Sequence, residues 1–170
     1  MFRPDIHANH TLQNYWPVGR GDQVPPYVWS GNWTVVIRDH LGRMVPKPDY
    51  VVFNAGLWPH DLNNDTGVLE EIRQALDDSD MMGIYKTTTK VLSDNTTTLE
   101  DHDVRGCQIL HYCLNIGWTG EITDPNMYLP DGKHFKTPIY QQMNVQLLEM
   151  LASIRQEHPQ HPFGRSVTWQ

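Results

Sequence analysis

A run of four apolar residues, Tyr50-Val51-Val52-Phe53, stops at Asn54-Ala55-Gly56 and is the strongest constraint in this chain. Four consecutive apolar side chains point to both faces of an extended strand, so the run predicts a strand buried on both faces, the usual condition of a parallel sheet. Parallel strands need long crossovers, and the sequence supplies helical spacing after the run. Thr66 to Asp78 places Val68, Leu69, Ile72 and Leu76 on one face and Glu70, Glu71, Arg73 and Gln74 on the other, with Asp65 or Thr66 as the candidate N-cap.

The alternation continues. Met82 to Thr88 reads as the next strand, a polar loop covers Ser93 to Thr98, and a second helix is predicted over Leu99 to Asn115. Gly120 to Asp124 is a weak further strand, and Ile139 to Gln156 forms the clearest helix, with Ile139, Met143, Leu147, Leu148, Leu151 and Ile154 in one stripe. Upstream, the β-branched run Thr34 to Arg38 predicts a strand and Gly42 to Pro48 a turn. Residues 1–31, rich in Pro, Gly, Asn and His, read as an extended arm, residues 32–158 as the α/β domain, and residues 159–170 as a tail. Strand and helix in alternation predict a mainly parallel α/β sheet with helices on both faces. Ligands of such sheets gather beyond the carboxyl ends of the strands, which selects the loops Asn54 to Asn64, Lys86 to Asn95 and Asp124 to His134.

Charge narrows the partners. The net charge is −7, and no Lys/Arg-rich face is visible, which argues against a nucleic-acid partner. No apolar run approaches the ~18 residues of a spanning helix. Four N-glycosylation patterns occur, at Asn9, Asn32, Asn64 and Asn95, where roughly one would arise by chance. They argue for the secretory pathway, Golgi or extracellular, if a signal or anchor lies upstream. The residues from Met1 to His7 have no signal-like core, and on their own predict a soluble cytoplasmic chain. Cys107 and Cys113, six apart on one predicted helix, would face different directions and remain buried free thiols.

Each loop offers polar groups with two readings. Asn54 can donate two uncharged N–H groups to a developing oxyanion, or simply bond its own turn. Asp131, three residues before His134 across Gly132, can orient the imidazole as a general base, or belong to an ordinary surface turn. Lys86-Thr87-Thr88-Thr89-Lys90 can line a site, or grade from strand into a solvated loop. Metal-assisted hydrolysis could draw on His60-Asp61 and Asp101-His102-Asp103, but neither has recognised ligand spacing; no metal and no cofactor are expected.

The order of Tyr-Val-Val-Phe-Asn-Ala-Gly-Leu-Trp from Tyr50, Ile-Tyr-Lys-Thr-Thr-Thr from Ile84 and Asp-Gly-Lys-His-Phe from Asp131 resembles the C-terminal half of an SGNH (GDSL-type) hydrolase. The nearest branch is the PC-esterases, which include trichome birefringence-like and Cas1p-like O-acetyltransferases and esterases, and the likeness runs from about Pro48 to Leu151. It implies a three-layer α/β/α, flavodoxin-like fold, incomplete at its N-terminus, acting on acyl esters of glycans, acetyl esters above all. His134 would be the general base and Asp131 its orienting carboxylate. Asn54 would be an oxyanion donor, with Gly56, Trp58, Lys86 and Thr87 around the acyl or sugar group. The family's Gly-Asp-Ser nucleophile has no counterpart: Gly21-Asp22 is followed by Gln23, and Ser30, Ser79, Ser93, Ser153 and Ser166 follow no strand-to-helix elbow. The alternative is an inactive protein of the same fold that binds glycan or acyl groups.

Overall fold

Tyr50–Phe53 is a strand, β1, within a computed structural model that describes residues 32–54 and 67–157. It pairs in parallel with β2 (Met82–Lys86), which pairs in parallel with β3 (Tyr112–Leu114). The register sets Tyr50 beside Met82 and Phe53 beside Tyr85, then Ile84 beside Tyr112 and Lys86 beside Leu114. Because all three strands run one way, Phe53, Lys86 and Leu114 end on one edge of the sheet. The molecule is therefore a mixed α/β protein with a three-stranded parallel sheet.

Alternation along each strand divides the core into two clusters. Phe53 and Tyr85 on one face meet Leu69, Ile72, Ala75 and Leu76 of the helix Val68–Asp78, together with Ile37 and Leu110. Ile84 and Leu114 on the other face meet Tyr128, Phe135, and Ile139 and Met143 of the long helix Thr137–Glu157. Each fully buried aliphatic side chain contributes about 1.5–3 kcal/mol to these contacts. The helix Asp101–Ile109 joins β2 to β3 and approaches β2 closely through Gly106. A Cβ at Gly106 would stand 2.2 Å from the ring of the buried Tyr85, so only glycine admits the ring there. In chain order the helices are α1 (Trp33–Val35), α2 (Val68–Asp78), α3 (Asp101–Ile109) and α4 (Thr137–Glu157).

The structure corrects the sequence in five places. Thr34 to Arg38 is helical, with α1 continuing into a π turn, Val36–His40, and a 3-10 turn, Leu41–Arg43. Asn32 Oδ1 accepts the N–H groups of Thr34 at 2.9 Å and Val35 at 3.3 Å, and Ile37 buries itself in the α2 cluster. A cap and a buried anchor outweigh the β preference of Thr, Val and Ile. Val52 is 43% exposed, so β1 is not buried on both faces. The helix predicted to Asn115 ends at Ile109, and Tyr112–Leu114 turns into β3. That reversal brings the Cα atoms of Cys107 and Cys113 to 4.7 Å, and the two form a disulfide rather than free thiols. Gly117–Glu121 is a 3-10 turn where a fourth strand was expected from Gly120. Asp65 and Thr66, the candidate caps of α2, lie outside the described residues.

His111 holds the junction of α3 and β3. Its Nδ1 accepts the Gly83 N–H at 3.0 Å, so Nε2 carries the proton and donates to Asp77 Oδ1 at 2.8 Å. Burial depresses its pKa, the Arg73 guanidinium adds to the depression, and Asp77 opposes it. The folded chain therefore holds His111 neutral where the unfolded chain, with a pKa of about 6.5, takes up a proton. Its contribution to stability is full above that value and is lost as pH falls through the lower folded pKa. Urea midpoints between pH 7.5 and pH 5 should fall more steeply for the natural protein than for His111→Asn, whose side-chain oxygen accepts from Gly83 without titrating. Parallel pH profiles would refute this role.

Candidate functional site

The site is built from Asn54, at the end of β1, and from the loops that leave the carboxyl ends of β2 and β3. Beyond the last ladder pair, Asn54 Nδ2 donates to the carbonyls of Lys86 at 2.8 Å and Thr87 at 3.3 Å, which staples the end of β1 to that of β2. Thr87 N–H donates to Leu114 O at 3.1 Å and its hydroxyl accepts the Ile116 N–H at 2.9 Å, which ties β2 to β3. Asn54, Lys86 and Thr87 are thus brought together.

Lys86, Thr87, Thr88 and Lys90 are all buried, so this run is not a solvated loop. Its polar groups are consumed one by one. Thr88 N–H donates to both oxygens of Asp103, at 3.0 and 2.9 Å, and its hydroxyl donates to Asp103 Oδ1 at 3.0 Å and stands 3.1 Å from His102 Nε2. Asp103 is fully buried in the first turn of α3. Lys90 Nζ donates to Thr98 O at 2.8 Å and pairs with Asp94 and Glu100 at 3.4 and 3.5 Å. Burial pushes the Lys86 amine down to about 8, with the nearby Asp103 charge opposing the shift.

Asp131 and His134 sit on a short antiparallel turn. Tyr128 bridges Phe135, Leu129 N–H donates to His134 O at 2.7 Å, and Gly132 takes φ +65°, a conformation that favours glycine. Phe135 is buried, stacked on Tyr128 with ring centres 4.4 Å apart and edge-on to Tyr140 at 6.4 Å. That anchor, one residue on, fixes where His134 stands. Asp131 Oδ1 accepts the N–H groups of Lys133 and His134, each at 2.9 Å, and Oδ2 bonds His134 Nδ1. The backbone N–H of His134, its imidazole and the N–H of Lys133 hold the Asp131 carboxyl far below the usual carboxylate range. An ionised Asp131 carboxylate accepts the proton of Nδ1 and so favours the tautomer in which Nε2 is the acceptor nitrogen. Leu92 N–H donates to Gly132 O at 2.8 Å, so this turn is tied to the loop that follows β2.

Compared with protein-family models, curated proteins and solved structures, the chain matches none. The chemistry of the site rests on its own geometry.

That geometry offers a carboxylate-oriented imidazole on a turn bonded to the loop after β2, and a buried ammonium at the end of the central strand. Asn54 Nδ2 is engaged by two carbonyls, so oxyanion binding by Asn54 would compete with this staple. Gly56 and Trp58 lie outside the described residues, as do His60, Asp61, Asn9 and Asn64. Asn32 and Asn95 are both exposed. Among the described residues no three His, Cys, Asp or Glu side chains gather as metal ligands; Asp103 and His102 of the Asp101-His102-Asp103 segment face Thr88 instead. The Thr88–Asp103–His102 network and the Lys90 clamp were not anticipated from sequence. Their one signal was a hydroxyl run at a strand end followed by carboxylates in the first turn of the next helix.

Proposed function

We propose that this chain is the C-terminal portion of an SGNH-type serine esterase or O-acyltransferase, of three-layer α/β/α form, acting on acyl esters of glycans. The observation that carries the reading is the Asp131–His134 pair, held on a turn that is bonded to the loop beyond the central strand. In the reaction, His134 Nε2 takes the proton of a serine hydroxyl supplied from outside the described residues. The alkoxide adds to the acyl carbonyl, the bond to the sugar oxygen breaks, and the imidazolium returns its proton to the leaving alcohol. Water or a second sugar hydroxyl then accepts the acyl group by the same route in reverse. Lys86 would contact the substrate, while Thr87, fully buried and bonded to β3, would hold the strand end in place rather than touch the substrate.

A secretory-pathway location agrees with this reading. The Cys107–Cys113 disulfide persists in oxidising compartments, and the acceptor side chains Asn32 and Asn95 are exposed. One observation favours the alternative, a glycan- or acyl-binding protein without turnover: the amide donors of Asn54 are engaged by Lys86 and Thr87. The two are separated by isolating the protein from cells that make it, treating it with a fluorophosphonate, and following acetyl loss from O-acetylated glycans by mass spectrometry. Covalent labelling with acetyl release supports the esterase. Glycan binding with neither supports the binding protein.

A further inference from the structure

We propose that Lys86 captures an anionic oxygen group, a carboxylate or a phosphate, of the ligand that occupies the carboxyl end of the sheet. An ammonium removed from water is costly unless acceptors replace its hydration. Lys86 is 8% exposed, and among the described residues its Nζ reaches a single acceptor, the Thr87 carbonyl, at 3.4 Å. No carboxylate among the described residues comes within ion-pair distance of it. Lys90, four residues on and 2% exposed, shows what a structural buried lysine looks like in this same loop, with a carbonyl at 2.8 Å and two carboxylates around it. Asp103 acts on Lys86 only from a distance, and its oxygens are taken by the Thr88 N–H and hydroxyl.

An ammonium has three donors, and the long contact to Thr87 uses one. Two remain for the paired oxygens of a carboxylate or phosphate. The position fits capture as well: Lys86 is the last residue of the central strand, where ligands of parallel sheets bind. Its backbone is held from both sides, by the β3 ladder and by the Asn54 amide. This inference stands apart from the esterase reading, since holding an anion needs no nucleophile.

The test is thermal melting and calorimetric titration of the full chain and of Lys86→Met, a near-isosteric neutral side chain. The probes are inorganic phosphate, glucuronate as a sugar carboxylate, and glucose as the neutral control. Phosphate or glucuronate should raise the melting temperature of the natural protein and glucose should not; which of the two acts identifies the source of the anion. Lys86→Met should bind that probe at least tenfold more weakly, and without ligand should melt at or above the natural protein. Lys86→Arg should retain part of the binding. The proposal is overturned if neither anion shifts the natural protein, if Lys86→Met responds as the natural protein does, or if Lys86→Met and Lys86→Gln both fail to fold, which would make the ammonium structural. Acetyl release is not read in this test, so its outcome is independent of whether the esterase reading survives.

Discussion

Replacing His134 by alanine is expected to lower acyl-ester turnover of the natively isolated protein by at least about 10³-fold. The substitution removes the imidazole that the Asp131 carboxylate orients and that the proposed mechanism uses as its base. Stability should change little, because both side chains are well exposed and the turn is anchored by Phe135 and by backbone bonds. Asp131→Asn should be damaging for a different reason. Its amide can donate to Nδ1, which moves the imidazole proton to Nε2 and removes the base while leaving the turn nearly isosteric. A retained carboxylate in Asp131→Glu, longer by one methylene, should rescue part of that loss. Turnover measured as acetate released, with circular dichroism as the check on folding, reads all three. Equal turnover in His134→Ala and the natural protein would eliminate His134 as the base.

The second large effect concerns folding. Changing Cys107 and Cys113 together to alanine is expected to destabilise the domain by about 2–3 kcal/mol, the chain-entropy value for a closed loop of this small size. The bridge links the last turn of α3 to the middle of β3, so the loss falls on the third strand and on the β3 side of the α4 cluster. Urea midpoints with and without dithiothreitol measure it. The natural protein should fall to the level of the double variant on reduction, and the variant should not respond. A midpoint indifferent to reductant would show that the bridge contributes nothing to the folded state.

Much of the scaffold was legible because burial and periodicity coincide. α2 follows the apolar pattern closely; Tyr50–Phe53 is a strand as expected although Val52 is exposed, and the α4 stripe faces the cluster around Ile84 and Leu114 except at Leu148, which is 65% exposed. The failures share a cause, which is that short β-branched or apolar runs do not reveal their long-range partners. Thr34 to Arg38 has strand composition, yet Asn32 closes a helical turn over it and Ile37 finds α2. Between Gly106 and Leu114 the spacing suits a helix until His111, whose bonds to Gly83 and Asp77 exist only once β2 and α2 are in place. The disulfide was missed through that same error. In the site, Asp131 and His134 were readable because their interaction is local, three residues apart. The engagement of Asn54, the burial of Lys86 and the Thr88–Asp103 bonds depend on segments 14 or more residues apart, which one sequence cannot pair.

The strand order has a kinetic consequence. Among the described residues each strand pairs with the next one along the chain, at separations of roughly 30 residues. Closing loops of that size is entropically similar at each step, since the cost grows only with the logarithm of length. The sheet can therefore grow in the order of synthesis, each strand docking with its crossover helix before the next is needed. β2 is the obligatory middle: it is the template for β3 and the partner of β1, so slowing mutations should concentrate in Met82–Lys86 and in the helix residues that cover it, while changes in β3 should mainly hasten unfolding.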